Sequence, residues 1–180
     1  MKENKLRFIT QGALIGALYV LLTYLANMMG LASGVIQFRL SEALYVLACF
    51  TPAAVPGLWV GCMLSNILTG GVLWDVIFGS LATLIGAWGA RMLRHYRFAR
   101  WVAPFPPIVA NAAIVPFVLR YAYGMDDTLP FMIFTVSVGE IATCGALGVL
   151  LYGFLARHAG KIGLNEEKDA APGAANNEKI

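Results

Sequence analysis

The chain has 180 residues, of which 59% are hydrophobic and only 13% charged, and its mean hydropathy is +0.70. A soluble domain carries roughly 25% charged residues, so these values exclude a water-soluble globule and point to an all-α integral membrane protein. The formal net charge of +3 does not imply nucleic acid as a partner, because the basic residues stand at the ends of apolar segments, which is a topology signal.

At about 20 apolar residues per crossing, a chain of this length holds one bundle of about five or six spans and no separate soluble domain. Lys2, Lys5 and Arg7 precede an uncharged run from Phe8 to Met29, which as a helix reaches about 33 Å. That run exceeds the roughly 7–15 residues of a signal-peptide core, so an uncleaved first span is expected. On it Gly12, Ala13, Gly16 and Ala17 form overlapping small-xxx-small pairs, suited either to packing within the bundle or to close approach of a partner helix.

The uncharged stretch from Ala43 to Trp74 would run about 48 Å as one helix, too long for a single upright crossing. Pro52 and Pro56 interrupt it. Proline removes a backbone donor and restricts the residue before it, so a break is expected near Thr51 between helices at about 36–50 and 53–68. Apolar segments at 72–90, 101–119 and 129–156 follow. The cysteines Cys49, Cys62 and Cys144 are odd in number, lie in apolar runs and lack metal-ligand spacing, so they read as small packing residues.

Charge sets the expected orientation, since short cytoplasmic loops collect Lys and Arg. Six spans with both termini cytoplasmic put the loop "RMLRHYRFAR" inside and leave only Arg39 and Arg120 of the 13 basic residues outside. A five-span alternative puts that arginine loop outside, against the same rule. The expected division is a six-helix membrane domain at 1–160 and a disordered cytoplasmic tail at 161–180, where charged and small residues replace large apolar ones.

Against this background Arg39, Glu42, Asn66, Asp75, Asn111 and Glu140 need explanation. A carboxylate at the centre of a span, as expected for Glu140, costs about 3 kcal/mol or more without a partner or a cavity. Arg39 and Glu42, in "IQFRLSEAL", are either an exposed i, i+3 ion pair or groups held for a ligand. Asn111 is suited to bonding a neighbouring helix. The other polar groups fall toward the external side and imply one outward-opening cluster. The chain contains no GxxxxGK[ST] loop, no His/Glu metal motif and no nucleophile elbow, so neither ATP hydrolysis nor another catalytic activity is expected of it.

The stretch "IQFRLSEAL" followed by "GCMLSNILTGGVLWDVIFGSLATLIG" resembles the S components of energy-coupling factor (ECF) transporters, and specifically the queuosine precursor transporter family, QueT. The likeness covers roughly residues 8–157. The spacing of Asn66, Gly70, Gly71, Asp75, Gly79 and Thr83 resembles a pattern shared across S components, while "QFRLSEAL" is closer to the queuosine precursor branch.

The resemblance implies a six-helix bundle in the cell membrane that captures a vitamin-like compound from outside. It also implies docking on an ECF T component with two ATPase subunits, which hydrolyse the ATP, so no cofactor is expected in this chain. Gly12, Ala13, Gly16 and Ala17 would then form the partner interface. The implied ligand is preQ1, a 7-aminomethyl-7-deazaguanine, or its relatives preQ0 and queuine. Its N–H edge suits a carboxylate and its ammonium suits another, which makes Glu42, Asp75 and Glu140 candidates with interchangeable pairings. Asn66 is suited to the base edge, Trp74 or Phe38 to stacking on its face, Arg39 to a carbonyl oxygen or to orienting Glu42, and Asn111 completes the candidate set.

Two other readings compete with this one. One keeps the ECF class with a different vitamin; cobalt or nickel does not fit, because His95 and His158 fall in segments expected in the cytoplasm. The other is a membrane scaffold or assembly subunit without a small ligand, whose embedded carboxylates pair with cations on another protein.

Overall fold

The computed structural model describes residues 2–31 and 38–158. The expected tail at 161–180 and the start of the second helix at 36 and 37 lie outside the described residues. All regular structure among the described residues is helical: α1 (Lys2–Met28), α2 (Leu40–Phe50), α3 (Ala54–Leu68), α4 (Leu73–His95), α5 (Ala99–Tyr121) and α6 (Leu129–His158).

Four of these, α1, α4, α5 and α6, are long and apolar enough to cross a membrane. The other two are short. Helix α2 is a 3₁₀ helix from Leu40 to Val46 and α-helical only from Leu47 to Phe50, so at about 2.0 and 1.5 Å per residue it extends about 20 Å, and α3 about 22 Å, against a hydrocarbon core of about 30 Å. The expected break falls at Thr51, whose backbone is extended (φ −140°, ψ 136°). Pro52 lies in the turn that follows, and Pro56 in the first turn of α3, where a missing N–H leaves no intrahelical bond unmade.

Contacts along the helices fix their directions. Thr23 meets Ser41 and Gln11 meets Thr51, so α2 runs antiparallel to α1. Gly12 meets Gly57 and Gly16 meets Gly61, so α3 runs parallel to α1. Asn66 meets Asp75 at the α3–α4 turn, and Gly86 and Gly89 of α4 rest on Pro107 and Pro106 in the first half of α5. The chain therefore reverses direction at each connection. The start of α1, the arginine-rich turn and the end of α6 share one end of the bundle, because Arg91 donates to the Ala48 carbonyl and Arg100 lies against Gly153.

Helix α2 is enclosed by α1, α4 and α6. Its residues from Ser41 to Ala48 are all buried, and Tyr19, Leu44, Tyr45, Leu58 and Cys62 belong to the core around it. A smaller cluster of Val115, Leu119, Met132 and Val136 joins α5 to α6.

The small-residue face of α1 divides in two. Gly12 and Gly16 turn inward onto α3, where a Cβ on Gly57 would lie 2.5 Å from the Gly12 carbonyl oxygen and one on Gly61 2.9 Å from that of Gly16. The expectation that these two glycines face a partner is corrected by this contact. Ala13 and Ala17, one position further round the helix, remain exposed. Gly57→Ala is expected to destabilise the protein in detergent by about 1–3 kcal/mol through overpacking against backbone, whereas Ala13→Leu should stay within about 0.5 kcal/mol. Thermal unfolding of both variants checks this, and equal midpoints would contradict the packing.

Candidate functional site

The polar residues gather at the end of the bundle opposite the arginine-rich turn, in two levels. The outer level is a cavity of about 390 Å³ lined by Thr23, Phe38, Arg39, Asn66, Asp75 and Tyr123, together with the Thr69–Gly71 turn. That volume lies at the small end of the range of about 300–1,000 Å³ typical of ligand pockets.

Local structure delivers each of these groups. Asp75 stands in the first turn of α4, where a carboxylate is favoured by the helix dipole. It accepts a hydrogen bond from Tyr123 Oη at 3.0 Å, and Arg39 Nη2 lies 3.9 Å from the same oxygen, Oδ2. The Val72 amide donates to Tyr123 Oη at 3.3 Å, tying the α3–α4 turn to the end of α5. Burial, and then the Asp75 carboxylate, push the Tyr123 phenol above its ordinary pKa, so it remains a donor to Asp75 at neutral pH. Asn66 Nδ2 donates to the Asp75 carbonyl at 3.1 Å. Gly79 leaves the room this needs, since a Cβ there would lie 2.8 Å from Asp75 Oδ1.

The inner level begins one helical turn deeper. Thr23 on the cavity wall donates to the carbonyl of Tyr19, and Tyr19 Oη donates to Glu42 Oε1 at 2.7 Å. One turn is about 5 Å. Glu42 is wholly buried, and its neighbour Ser41 meets Thr23 at 2.8 Å. Ligand atoms of Glu42, Glu140 and Cys144 lie within 4.8 Å of one another. Cys144 Sγ donates to Glu140 Oε2 at 3.2 Å and also lies 3.4 Å from the Glu42 carbonyl oxygen. Asn111 on α5 faces both carboxylates. Glu42 Oε2, Tyr45 Oη and Asn111 Nδ2 are buried without a hydrogen-bond partner, an arrangement that native interiors avoid unless it serves a purpose.

Glu140 ends the regular α-helical first half of α6, and a π-helical turn follows from Ile141 to Leu147. Such turns occur mostly as local bulges, frequently at functional sites. This one places Thr143 and Cys144 on the buried side with Glu140.

Of the residues singled out from sequence, Phe38, Arg39, Asn66 and Asp75 line the cavity, and Glu42, Asn111 and Glu140 form the level beneath it. Trp74 does not join them. It is 57% exposed and stacks on Phe78 with ring centroids 5.7 Å apart, on an apolar groove formed with α5. Neighbours on a helix do not share a face, and with Asp75 turned inward Trp74 points out. Nor is Glu42 the exposed half of an i, i+3 pair, since Arg39 turns to Asp75 and Glu42 to Tyr19. Arg120 caps the loop after α5 by donating to the Asp126 and Asp127 carbonyls.

Tyr19, Tyr45, Tyr123 and Cys144 complete the site and were not singled out in the sequence. A buried tyrosine hydroxyl requires a partner, and that was the available signal for Tyr19, which sits amid an apolar span. Tyr19→Phe should weaken stability in detergent by about 1–3 kcal/mol, because Glu42 Oε1 then loses its buried donor. Denaturation of the variant against wild type measures this, and no change would show that the bond does not hold α2 in place.

The queuosine precursor transporter QueT of Lactococcus lactis subsp. cremoris (strain MG1363) is 41% identical over 86 residues, covering 47% of this chain and 50% of that protein. The chain therefore spans about half the length of the curated relative it matches. No solved structure matches it. The family model described as QueT transporter matches residues 9–157, and on that match the chain belongs to the QueT transporter family.

Proposed function

We propose that this chain is the substrate-binding S component of an ECF-type importer in the cell membrane, and that it takes up a queuosine precursor, a 7-substituted 7-deazaguanine. The observation that carries the reading is a small polar cavity, bearing Arg39, Asn66 and Asp75, sunk into one end of an apolar helical bundle. A guanine-type edge offers adjacent N–H donors and a carbonyl acceptor. Carboxylate, amide and guanidinium groups complement these, and Phe38 supplies an apolar wall.

In the proposed topology the chain crosses six times with both termini inside, α2 and α3 serving as two short crossings. The shared end of the α1 start, the arginine-rich turn and the α6 end supports this, since basic loops stay on the cytoplasmic side. The cavity then opens outward, as capture from outside requires. Energy is supplied by a T component and two ATPase subunits, which hydrolyse the ATP. Exposed Ala13 and Ala17 offer the partner a place for close helix approach, with Gly12 and Gly16 supporting that face from behind.

Titration calorimetry on the full chain in detergent tests the binding half of the proposal. Heat is expected with at least one of preQ1, preQ0 and queuine, and Glu42→Gln should weaken that binding. In liposomes, uptake should require the ATPase module. Absence of heat with all three compounds would overturn the ligand assignment, and stabilisation by an unrelated vitamin would favour another ECF cargo.

A further inference from the structure

The charge of the site is unbalanced. Asp75, Glu42 and Glu140 bring three carboxylates, and among the described residues Arg39 is the one cation acting on all of them. The two levels share it unequally. Asp75 has Arg39 at 3.9 Å and a hydrogen bond from Tyr123. Beneath it, Glu42 and Glu140 approach each other within 4.8 Å, almost wholly out of water. Two buried carboxylates so close repel strongly unless one of them takes up a proton or positive charge stands between or beside them, so a cation that enters between them is held in preference to a neutral group.

The unpartnered atoms lie at this inner level. Glu42 Oε2 and Tyr45 Oη are buried without partners, and Asn111 Nδ2 has none although its amide faces both carboxylates. A primary ammonium carries three N–H donors and no acceptor. Glu42 Oε2 and Glu140 present carboxylate acceptors in one buried place, and Tyr45 Oη, whose O–H can donate to a carboxylate, still has a lone pair to accept from an ammonium. At the outer level, donors and acceptors are mixed, as a base edge needs.

We propose that the Glu42–Glu140 pair is an ammonium subsite, so that the transporter selects a deazaguanine carrying a protonated aminomethyl group over its uncharged nitrile analogue. This rests on the reading of the chain as a deazaguanine-binding protein and adds an orientation to it. The base lies in the outer cavity against Asp75, Asn66 and Phe38, and the charged substituent points down toward α2 and α6.

Calorimetry of the full chain in detergent with preQ1 and preQ0 tests it, using wild type, Glu140→Gln and Asp75→Asn. Wild type should bind preQ1 at least about tenfold tighter than preQ0, equivalent to about 1.4 kcal/mol. Glu140→Gln, nearly isosteric, should remove most of that margin by weakening preQ1 while leaving preQ0 within about twofold. Asp75→Asn should weaken both compounds alike. Equal affinities in wild type would overturn the subsite while leaving the deazaguanine reading intact, and so would a Glu140→Gln variant that weakens both equally. Stabilisation of the chain by Zn²⁺ or Mg²⁺ alone that is lost in Glu140→Gln would overturn it in favour of a metal site. If neither preQ1, preQ0 nor queuine binds, the subsite and the reading it rests on fall together.

Discussion

The hydrogen bond from Tyr19 to Glu42 is the contact on which the polar half of this protein depends. It joins the longest uninterrupted α-helix, α1, to one of the shortest helices, α2, and holds a carboxylate fully out of water. A buried charge demands dense hydrogen bonding or a counter-charge, and the surrounding architecture answers that demand in part. Thr23 and Ser41 brace the same junction one turn higher. Beside it, Glu140 and Cys144 arrive from the π-helical turn of α6. The demand left unmet is visible as orphaned atoms, and the proposed ammonium subsite is built on them.

Close approach of α3 to α1 is the second constraint. Gly12 and Gly16 meet Gly57 and Gly61 nearly backbone to backbone, which brings the far end of α3, with Asn66, up to the turn that leads into Asp75. In a bilayer, apolar side chains gain little from burial against each other compared with lipid, so small residues and polar contacts set how helices associate. The glycine contact and the Tyr19–Glu42 bond together position α2 and α3 against α1, so that Phe38 and Arg39 just before α2 and Asn66 near the end of α3 line one cavity.

Much of this was legible in the sequence. Long apolar runs marked α1, α4, α5 and α6 to within a few residues, and the charge-free stretch with Pro52 and Pro56 marked the break at Thr51. The polar residues picked out for their expense in a membrane, Arg39, Glu42, Asn66, Asp75, Asn111 and Glu140, lie near one another in the fold, whereas Trp74, picked out for stacking, faces away. What could not be read was which way each side chain points. In helices that are apolar all round, periodicity gives no inside face, so Trp74 and Asp75 looked equally eligible, and Gly12 could not be separated from Ala13. Cys144 stands four residues after Glu140, a spacing that puts both on one face of a helix, but it read as packing because nothing in the sequence showed that this face turns toward Glu42.

The central claim is that the buried charges of α2 and α6 and the outer cavity form one continuous binding site. A structure of the full chain solved with 7-aminomethyl-7-deazaguanine tests it most directly. The account predicts the base between Phe38, Asn66 and Asp75, with its amino group within hydrogen-bond distance of Glu42 and Glu140. Ligand density confined to the apolar groove beside Trp74 and Phe78, or a bound ligand that leaves Glu42 and Glu140 untouched, would contradict it.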